Sequence, residues 1–354
     1  MELRDTIVDW LTRKDTSFLL GAGCSRCAGK PLIYDLTERV IQTLDQPAQH
    51  LFHSLTNPAG RTAHIEDFIN FLQRVELLAN SSTSVTINNL DPANVRATIE
   101  AVKLAIVSLL GSTWEHSEHH GRFLARIALS DRVRNIFILN YDTLIEASLE
   151  ELQIPYVDGF RGANRAYFDA STLDQVNASE GVFRVFKLHG STNWIRDVYG
   201  TVRRVVEAPS SSSDTRVMIY PSEQKYLQTQ FGAYEVLLNR FRQVLRSPSR
   251  NNTLVCLGYS FNDDHINEAI IDAACDKTVN LTVIAFLGAD DGNLKEQQSR
   301  LEAFTARCRA NVNFYVGNRF FVGDALSLQE SEELLTMDLW RFEHMVEYIA
   351  GVKS

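Results

Sequence analysis

Six short runs of branched and aromatic residues constrain this chain most. Each is nearly continuous in apolar side chains, and each is followed by a glycine or a polar turn: residues 17–20, 135–139, 182–188, 254–257, 281–286 and 312–316. A strand with one face in water alternates apolar and polar residues, whereas a continuous run must be covered on both faces, as in a parallel sheet. Helical stretches lie between them, among them residues 141–152, 233–245 and 294–308. Strand alternating with helix at this spacing predicts an α/β fold, a parallel sheet with helices on both faces.

From residue 47 to residue 120 the strand rhythm disappears. Residues 64–78 and 92–110 carry apolar side chains at three- and four-residue steps, and Pro92 suits a first helical turn. The expected organisation is therefore a discontinuous sheet domain over 1–46 and 121–330, a helical insertion over 47–120, and a C-terminal helix over 331–354. In that last helix Leu335, Leu339, Phe342, Val346 and Ile349 share one face, which suits packing on the core or, as the sharper alternative, a subunit contact. Residues 80–91 and 207–216 are mostly polar and read as mobile loops. A chain of 354 residues can bury a sizeable core as one large domain with an insertion or as two domains.

Charge and cysteine usage exclude several classes. The net charge is −9, and no run of lysine and arginine is long enough to track a phosphate backbone, so direct nucleic-acid binding is disfavoured. The opening residues Met1 to Asp5 carry acids, and residues 18–23 are too short an apolar run for a signal peptide or a membrane span. A cytoplasmic protein without membrane attachment is expected. The five cysteines are odd in number and scattered, which argues against a disulfide framework. Cys24 and Cys27 form a single C-x-x-C with no second pair to complete a zinc site, so no metal is expected.

Four strand ends carry polar chemistry. The first, Gly21-Ala22-Gly23-Cys24-Ser25, has two glycines that let backbone amides approach phosphates closely, with Ser25 as a further donor. A tight turn needs glycine for steric reasons alone, and the third glycine of the usual dinucleotide fingerprint is replaced by Arg26. The second, Asn140-Tyr141-Asp142-Thr143, closes a buried strand with an amide and a carboxylate; Asp142 or Thr143 can be a helix cap, but a cap does not require Asn140. In the third, His189-Gly190, an imidazole that titrates near neutrality stands at a strand end, although a lone histidine is more often structural. The fourth, Gly258-Tyr259-Ser260-Phe261-Asn262-Asp263, can admit and bind another part of a ligand, and an ordinary strand-to-helix turn explains it nearly as well.

Other polar groups are expected to be bland. His116, His119 and His120 lie beside Glu115 and Glu118 and read as a solvated helix face. Arg203 with Arg204, and Arg240 with Arg242, read as surface charge.

Taken in order, the motifs Gly21-Ala22-Gly23-Cys24-Ser25, Asn140-Tyr141-Asp142, His189-Gly190 and Gly258-Tyr259-Ser260-Phe261 resemble the sirtuin-like superfamily. The resemblance is to its NADase branch of bacterial antiphage defence, and it spans roughly residues 15 to 325. It implies a Rossmann-like NAD+ site, with Asn140 and His189 as the catalytic pair. It also implies that Gly21, Ala22, Gly23 and Ser25 hold the pyrophosphate, that Asp142 orients ribose or nicotinamide, and that Gly258, Ser260 and Asp263 line the adenosine side. Sirtuin deacetylases carry two C-x-x-C pairs after the strand-end histidine, and this chain has none there, which favours NAD+ hydrolysis over deacylation. Members resembling this branch commonly form homo-oligomers and act with a HerA-like ATPase, so both are expected here. A deacylase, and a sensor that binds NAD+ or ADP-ribose without consuming it, are the alternatives.

Overall fold

The computed structural model describes residues 3–13, 15–55, 62–81, 92–111, 118–128, 134–175, 181–206, 215–218, 232–247, 252–288, 294–307, 311–316, 319–322, 327–329 and 338–350. Fourteen strands lie among these residues: β1 (Thr16–Leu20), β2 (Arg134–Ile138), β3 (Tyr156–Val157), β4 (Phe160–Arg161), β5 (Arg165–Phe168), β6 (Phe183–Lys187), β7 (Gly190–Arg196), β8 (Val202–Val205), β9 (Thr215–Met218), β10 (Asn252–Leu257), β11 (Leu281–Leu287), β12 (Asn311–Val316), β13 (Arg319–Val322) and β14 (Ser327–Gln329). The helices are α1 (Leu3–Thr12), α2 (Ile33–Thr43), α3 (Gln46–His53), α4 (Ile65–Ser81), α5 (Pro92–Leu110), α6 (Glu118–Ile127), α7 (Leu144–Glu151), α8 (Ala233–Leu245), α9 (Asp264–Cys275), α10 (Leu294–Arg307) and α11 (Phe342–Ala350). A 3-10 helix over Ala22–Ala28 follows β1 directly.

The main sheet runs β14-β13-β12-β11-β10-β1-β2-β6-β3. Its strands from β12 to β3 are parallel, and β13 and β14 extend one edge antiparallel. All six apolar runs are parallel strands of this Rossmann-like sheet. Alternation of side chains about each strand fixes its two faces. Leu19, Phe137, Phe186, Cys256 and Phe314 point into one core with α8, α9 and α10; Phe18, Leu20, Ile136, Val185 and Val255 point into the other with α1, α6, α7 and α11. The chain leaves β1 for β2 on one side and returns to β10 on the other, so the strand order reverses between β1 and β10. Ligands of open α/β sheets bind at the carboxyl ends of the strands at such a switch point.

The helical insertion has its own core, where Phe68, Ile69 and Leu72 of α4 meet Ile99, Val102 and Ile106 of α5. Leu36, Val40 and Ile41 of α2 belong to that core, upstream of the expected boundary at residue 47, whereas His120 on α6 packs with the sheet domain. Phe342, Val346 and Ile349 of α11, with Leu339 in the turn that precedes it, are buried in the sheet core, as the core-packing reading of these residues required; the helix itself begins at Phe342, and Leu335 lies outside the described residues.

The sequence reading did not anticipate a second, antiparallel sheet, ordered β4-β5-β8-β7-β9. Thr215 and Arg216 belong to its strand β9, which corrects their assignment to a loop; residues 207–214 and 82–91 lie outside the described residues. Arg204 and Arg203 are likewise not mere surface charge. Arg204 pairs with the buried Asp158 and lies over the Phe160 ring, and Arg203 pairs with Asp197 at 2.6 Å. Among the described residues no helix is long and apolar enough to cross a membrane.

Candidate active site

Backbone hydrogen bonds carry the parallel ladder past the strand ends and align four loops on one edge. Leu139 donates to the Leu20 carbonyl, Leu188 to that of Ile138 and Gly21 to that of Leu257, each at 2.9 Å. The loops after β1, β2, β6 and β10 therefore share the carboxyl edge of the sheet. A cavity of about 320 Å³ among Thr16, Asn135, Arg184, Arg240 and Asn252 opens at the opposite edge, away from these loops.

Two of these loops are knitted together by their glycines. A Cβ on Gly21 would stand 2.4 Å from the Gly258 carbonyl oxygen, one on Gly23 2.7 Å from Gly258 Cα, and one on Gly258 2.5 Å from the Cys24 nitrogen. All three obstacles are backbone, which cannot move aside cheaply. The Gly21 and Gly23 amides are committed to the carbonyls of Leu257 and Gly258, and Ala22 between them is exposed. The space left by the missing Cβ atoms thus admits the neighbouring loop. Cys24 belongs to the same contact: its buried thiol donates to the Leu257 carbonyl, and burial holds its pKa well above the usual thiol value.

A hydrogen-bonded relay joins the first two motifs. The Asn140 carboxamide Nδ2 donates to Ser25 Oγ at 2.7 Å, and Ser25 Oγ donates to Asp142 Oδ2 at 2.7 Å. The other Asp142 oxygen accepts from the Leu144 amide at the start of α7, so Asp142 serves both the helix and the relay; Thr143 makes no side-chain cap. Lys187, on β6 and 2% exposed, donates to the Asp142 carbonyl and lies 3.6 Å from the carboxylate of Glu146. Burial raises the Glu146 pKa despite that lysine. Asn140 Oδ1 is buried with no hydrogen-bond partner among the described residues.

His120 corrects the expectation of a solvated histidine face. It is 1% exposed, its ring lies 5.0 Å from that of Phe342, and burial, opposed in part by the Asp142 charge, pushes its pKa down to about 4. His119 is the outward member of the group, 3.6 Å from Glu347, and His116 lies outside the described residues.

His189 is 3% exposed at the end of β6, and Gly190 behind it has φ +83°, a turn that glycine makes without strain. Its Nε2 lies 3.3 Å from Nε2 of His265. Asp263 stands against both rings, 3.9 Å from His189 Nε2 and 3.7 Å from His265 Nδ1. The loop that carries Asp263 is fixed by Asn267, which accepts from the Tyr259 hydroxyl and donates to the carbonyl of Phe261. Phe261 itself has φ +55°, sparsely populated for a bulky residue and held here by its burial among Tyr259, Phe304 and Phe314.

The structure thus brings Ser25, Asn140 and Asp142 into direct contact across the ends of the neighbouring strands β1 and β2, and gathers His189, after β6, with Asp263, after β10. Ser260 is exposed on its loop. Asp263, expected on the adenosine side, faces the imidazoles. His265 escaped the sequence reading altogether, although it follows the fourth motif by two residues.

No curated protein matches the chain. Among solved structures, one reported as "Structural Basis for the Mechanism and Regulation of Sir2 Enzymes" is similar over 81% of this chain and 85% of its own, at 9% identity and a TM-score of 0.37. Residues 134–308, which hold every polar member of the site except Ser25, match the family model of the SIR2-like domain.

Proposed function

We propose that the chain hydrolyses the nicotinamide–ribose bond of NAD+, releasing nicotinamide and ADP-ribose. The observation that carries this reading is the buried, unpartnered Oδ1 of Asn140, held through Ser25 against Asp142 beside the strand that ends in His189. An orphaned buried acceptor costs about 1–3 kcal/mol, so an acceptor fixed at the carboxyl end of the strand beside the switch point fits a ligand that completes it. A SIR2-like domain implies NAD-dependent chemistry of the sirtuin kind.

Loss of nicotinamide leaves positive charge on the ribose, and the leaving group departs neutral. A carboxamide oxygen and a nearby carboxylate steady such charge without forming a bond to it. In this reading Asn140 Oδ1 orients the ribose or the attacking water. His189 takes a proton from that water as its oxygen bonds to the anomeric carbon and the N-glycosidic bond breaks. Asp142 orients the ribose through the hydroxyl network it shares with Ser25. Ala22 and Ser25 face the pyrophosphate, with Gly21 and Gly23 shaping the loop that presents them, and Gly258 and Ser260 flank the adenosine. The single Cys24-x-x-Cys27 pair precedes β2 and no C-x-x-C pair follows His189 in the sequence, a pattern that favours hydrolysis over deacylation.

The biological setting follows from the resemblance: NAD+ depletion in antiphage defence, by a cytoplasmic homo-oligomer working with a HerA-like ATPase. The test is incubation of the purified chain with NAD+, alone, with such an ATPase, and with an acyl-peptide, following products by chromatography. Nicotinamide and ADP-ribose released by the wild type and lost in both Asn140→Ala and His189→Ala are expected. O-acyl-ADP-ribose would establish the deacylase instead, and NAD+ left intact throughout would sink the hydrolase reading.

A further inference from the structure

We propose that His189, Asp263 and His265 form a site for a divalent transition-metal cation of the Zn2+ class, and that loading it silences the base of the hydrolysis. One ligand atom from each residue falls within 4.8 Å of the other two. Zinc held tetrahedrally at about 2.0–2.1 Å by two imidazoles sets their nitrogens roughly 3.3 Å apart. The two Nε2 atoms stand 3.3 Å apart. With no cation bound, the same pair is served by an Nε2–H···Nε2 hydrogen bond. Asp263 Oδ2 stands 3.9 Å from His189 Nε2, so a side-chain shift of roughly 0.5 Å would bring it to the ligand spacing around a shared ion.

Asp263 supplies an independent sign. It occupies the N-cap of α9, where an aspartate ordinarily accepts from the first-turn amides, yet its side chain makes no cap hydrogen bond and is turned towards the histidines. The three residues come from two separate elements, the end of β6 and the first turn of α9 with its cap, both anchored in the sheet core. Two imidazoles and one carboxylate suit Zn2+ or Co2+ rather than Mg2+ or Ca2+, which prefer oxygen ligands, and three protein ligands leave a position open.

The consequence for catalysis rests on the hydrolase reading. A cation bound to His189 Nε2 holds the lone pair that would accept the proton of water, so the loaded protein is expected to be inactive and the chelated protein active.

The test uses the full chain, stripped with a chelator and dialysed. Zn2+ is titrated calorimetrically, Co2+ binding is followed by its visible absorption, and melting temperature is recorded with and without Zn2+. The wild type is expected to take one cation equivalent that His265→Ala and Asp263→Ala bind at least tenfold more weakly. Zn2+ should raise the melting temperature of the wild type and not of these variants, whose own melting curves report whether they fold. Wild-type protein that binds no cation, or variants that bind as tightly as the wild type, would overturn the site. Hydrolysis that rises with Zn2+ would overturn the silencing. If NAD+ stays intact under all conditions the hydrolase reading falls, while the titrations still decide the site.

Discussion

Ser25 Oγ donates to Asp142 Oδ2 at 2.7 Å, joining residues 117 positions apart in the chain, and the same hydroxyl accepts from Asn140. One serine therefore sets the orientation of both polar groups at the end of β2. Replacing it by alanine leaves a buried carboxylate oxygen and a carboxamide nitrogen without their partner. Ser25→Ala is expected to lower stability by about 1–3 kcal/mol and to reduce turnover at saturating NAD+ by tenfold or more. Denaturant unfolding and steady-state kinetics read the two effects; turnover equal to the wild type would remove Ser25 from the positioning of Asn140.

The glycine contact predicts a graded series. Gly258 combines φ +61° with backbone atoms 2.5–2.8 Å from any added Cβ, whereas Gly200, at φ +81°, has nothing within 4 Å. Gly258→Ala is expected to cost roughly 3 kcal/mol or more, from strain plus a clash that only backbone movement relieves. Gly200→Ala meets the strain alone and is expected to cost about 1 kcal/mol. Equal unfolding midpoints for the two variants would refute the close approach of the loops.

Burial of His120 gives a dependence of stability on pH with a defined sign. Its pKa is about 4 in the folded protein against 6.5 for an exposed histidine, so between those values the unfolded chain binds more protons. Stability then rises with pH across that window and is lost as pH falls from 6.5 towards 4, at up to about 1.4 kcal/mol per pH unit. His120→Phe keeps the packing against Phe342 and removes the titration. Its stability measured from pH 7 to pH 4 is expected to fall less steeply than that of the wild type, and parallel curves would show that His120 is not buried as a neutral ring.

The main sheet was legible because runs such as Phe18-Leu19-Leu20 feed both cores at once and so leave no polar position. The second sheet was not, because its strands are short and carry arginines: Arg203 and Arg204 sit inside β8, and their carboxylate partners Asp197 and Asp158 are invisible to local periodicity. Asn140 and His189 stood out as polar residues ending apolar strands. His265 did not, since it lies among Asn262, Asp263 and Asp264 and reads as an ordinary helix start. The steric reading of the glycines named no neighbour, because sequence shows that a Cβ is missing but not what occupies its place.

Lys187 carries the last prediction. It is buried beneath the site, donates to the Asp142 carbonyl and neutralises Glu146, whose carboxyl is already pushed up by burial. Lys187→Met preserves volume but strands the glutamate, and the loss of one partner of a buried pair costs roughly 3–5 kcal/mol. Protonation relieves the stranded carboxylate, so this variant is expected to lose least stability at acidic pH and most near neutrality. Adding Glu146→Gln removes the charge that Lys187 neutralises, so the double variant is expected to regain most of the loss. A double-mutant cycle by denaturant unfolding measures the coupling, and additive single effects would show that the two side chains do not sense one another. The Asp142 carbonyl still lacks its lysine in the double variant. Stability should therefore recover further than NAD+ turnover, separating the role of Lys187 in holding the fold from its role in placing Asp142.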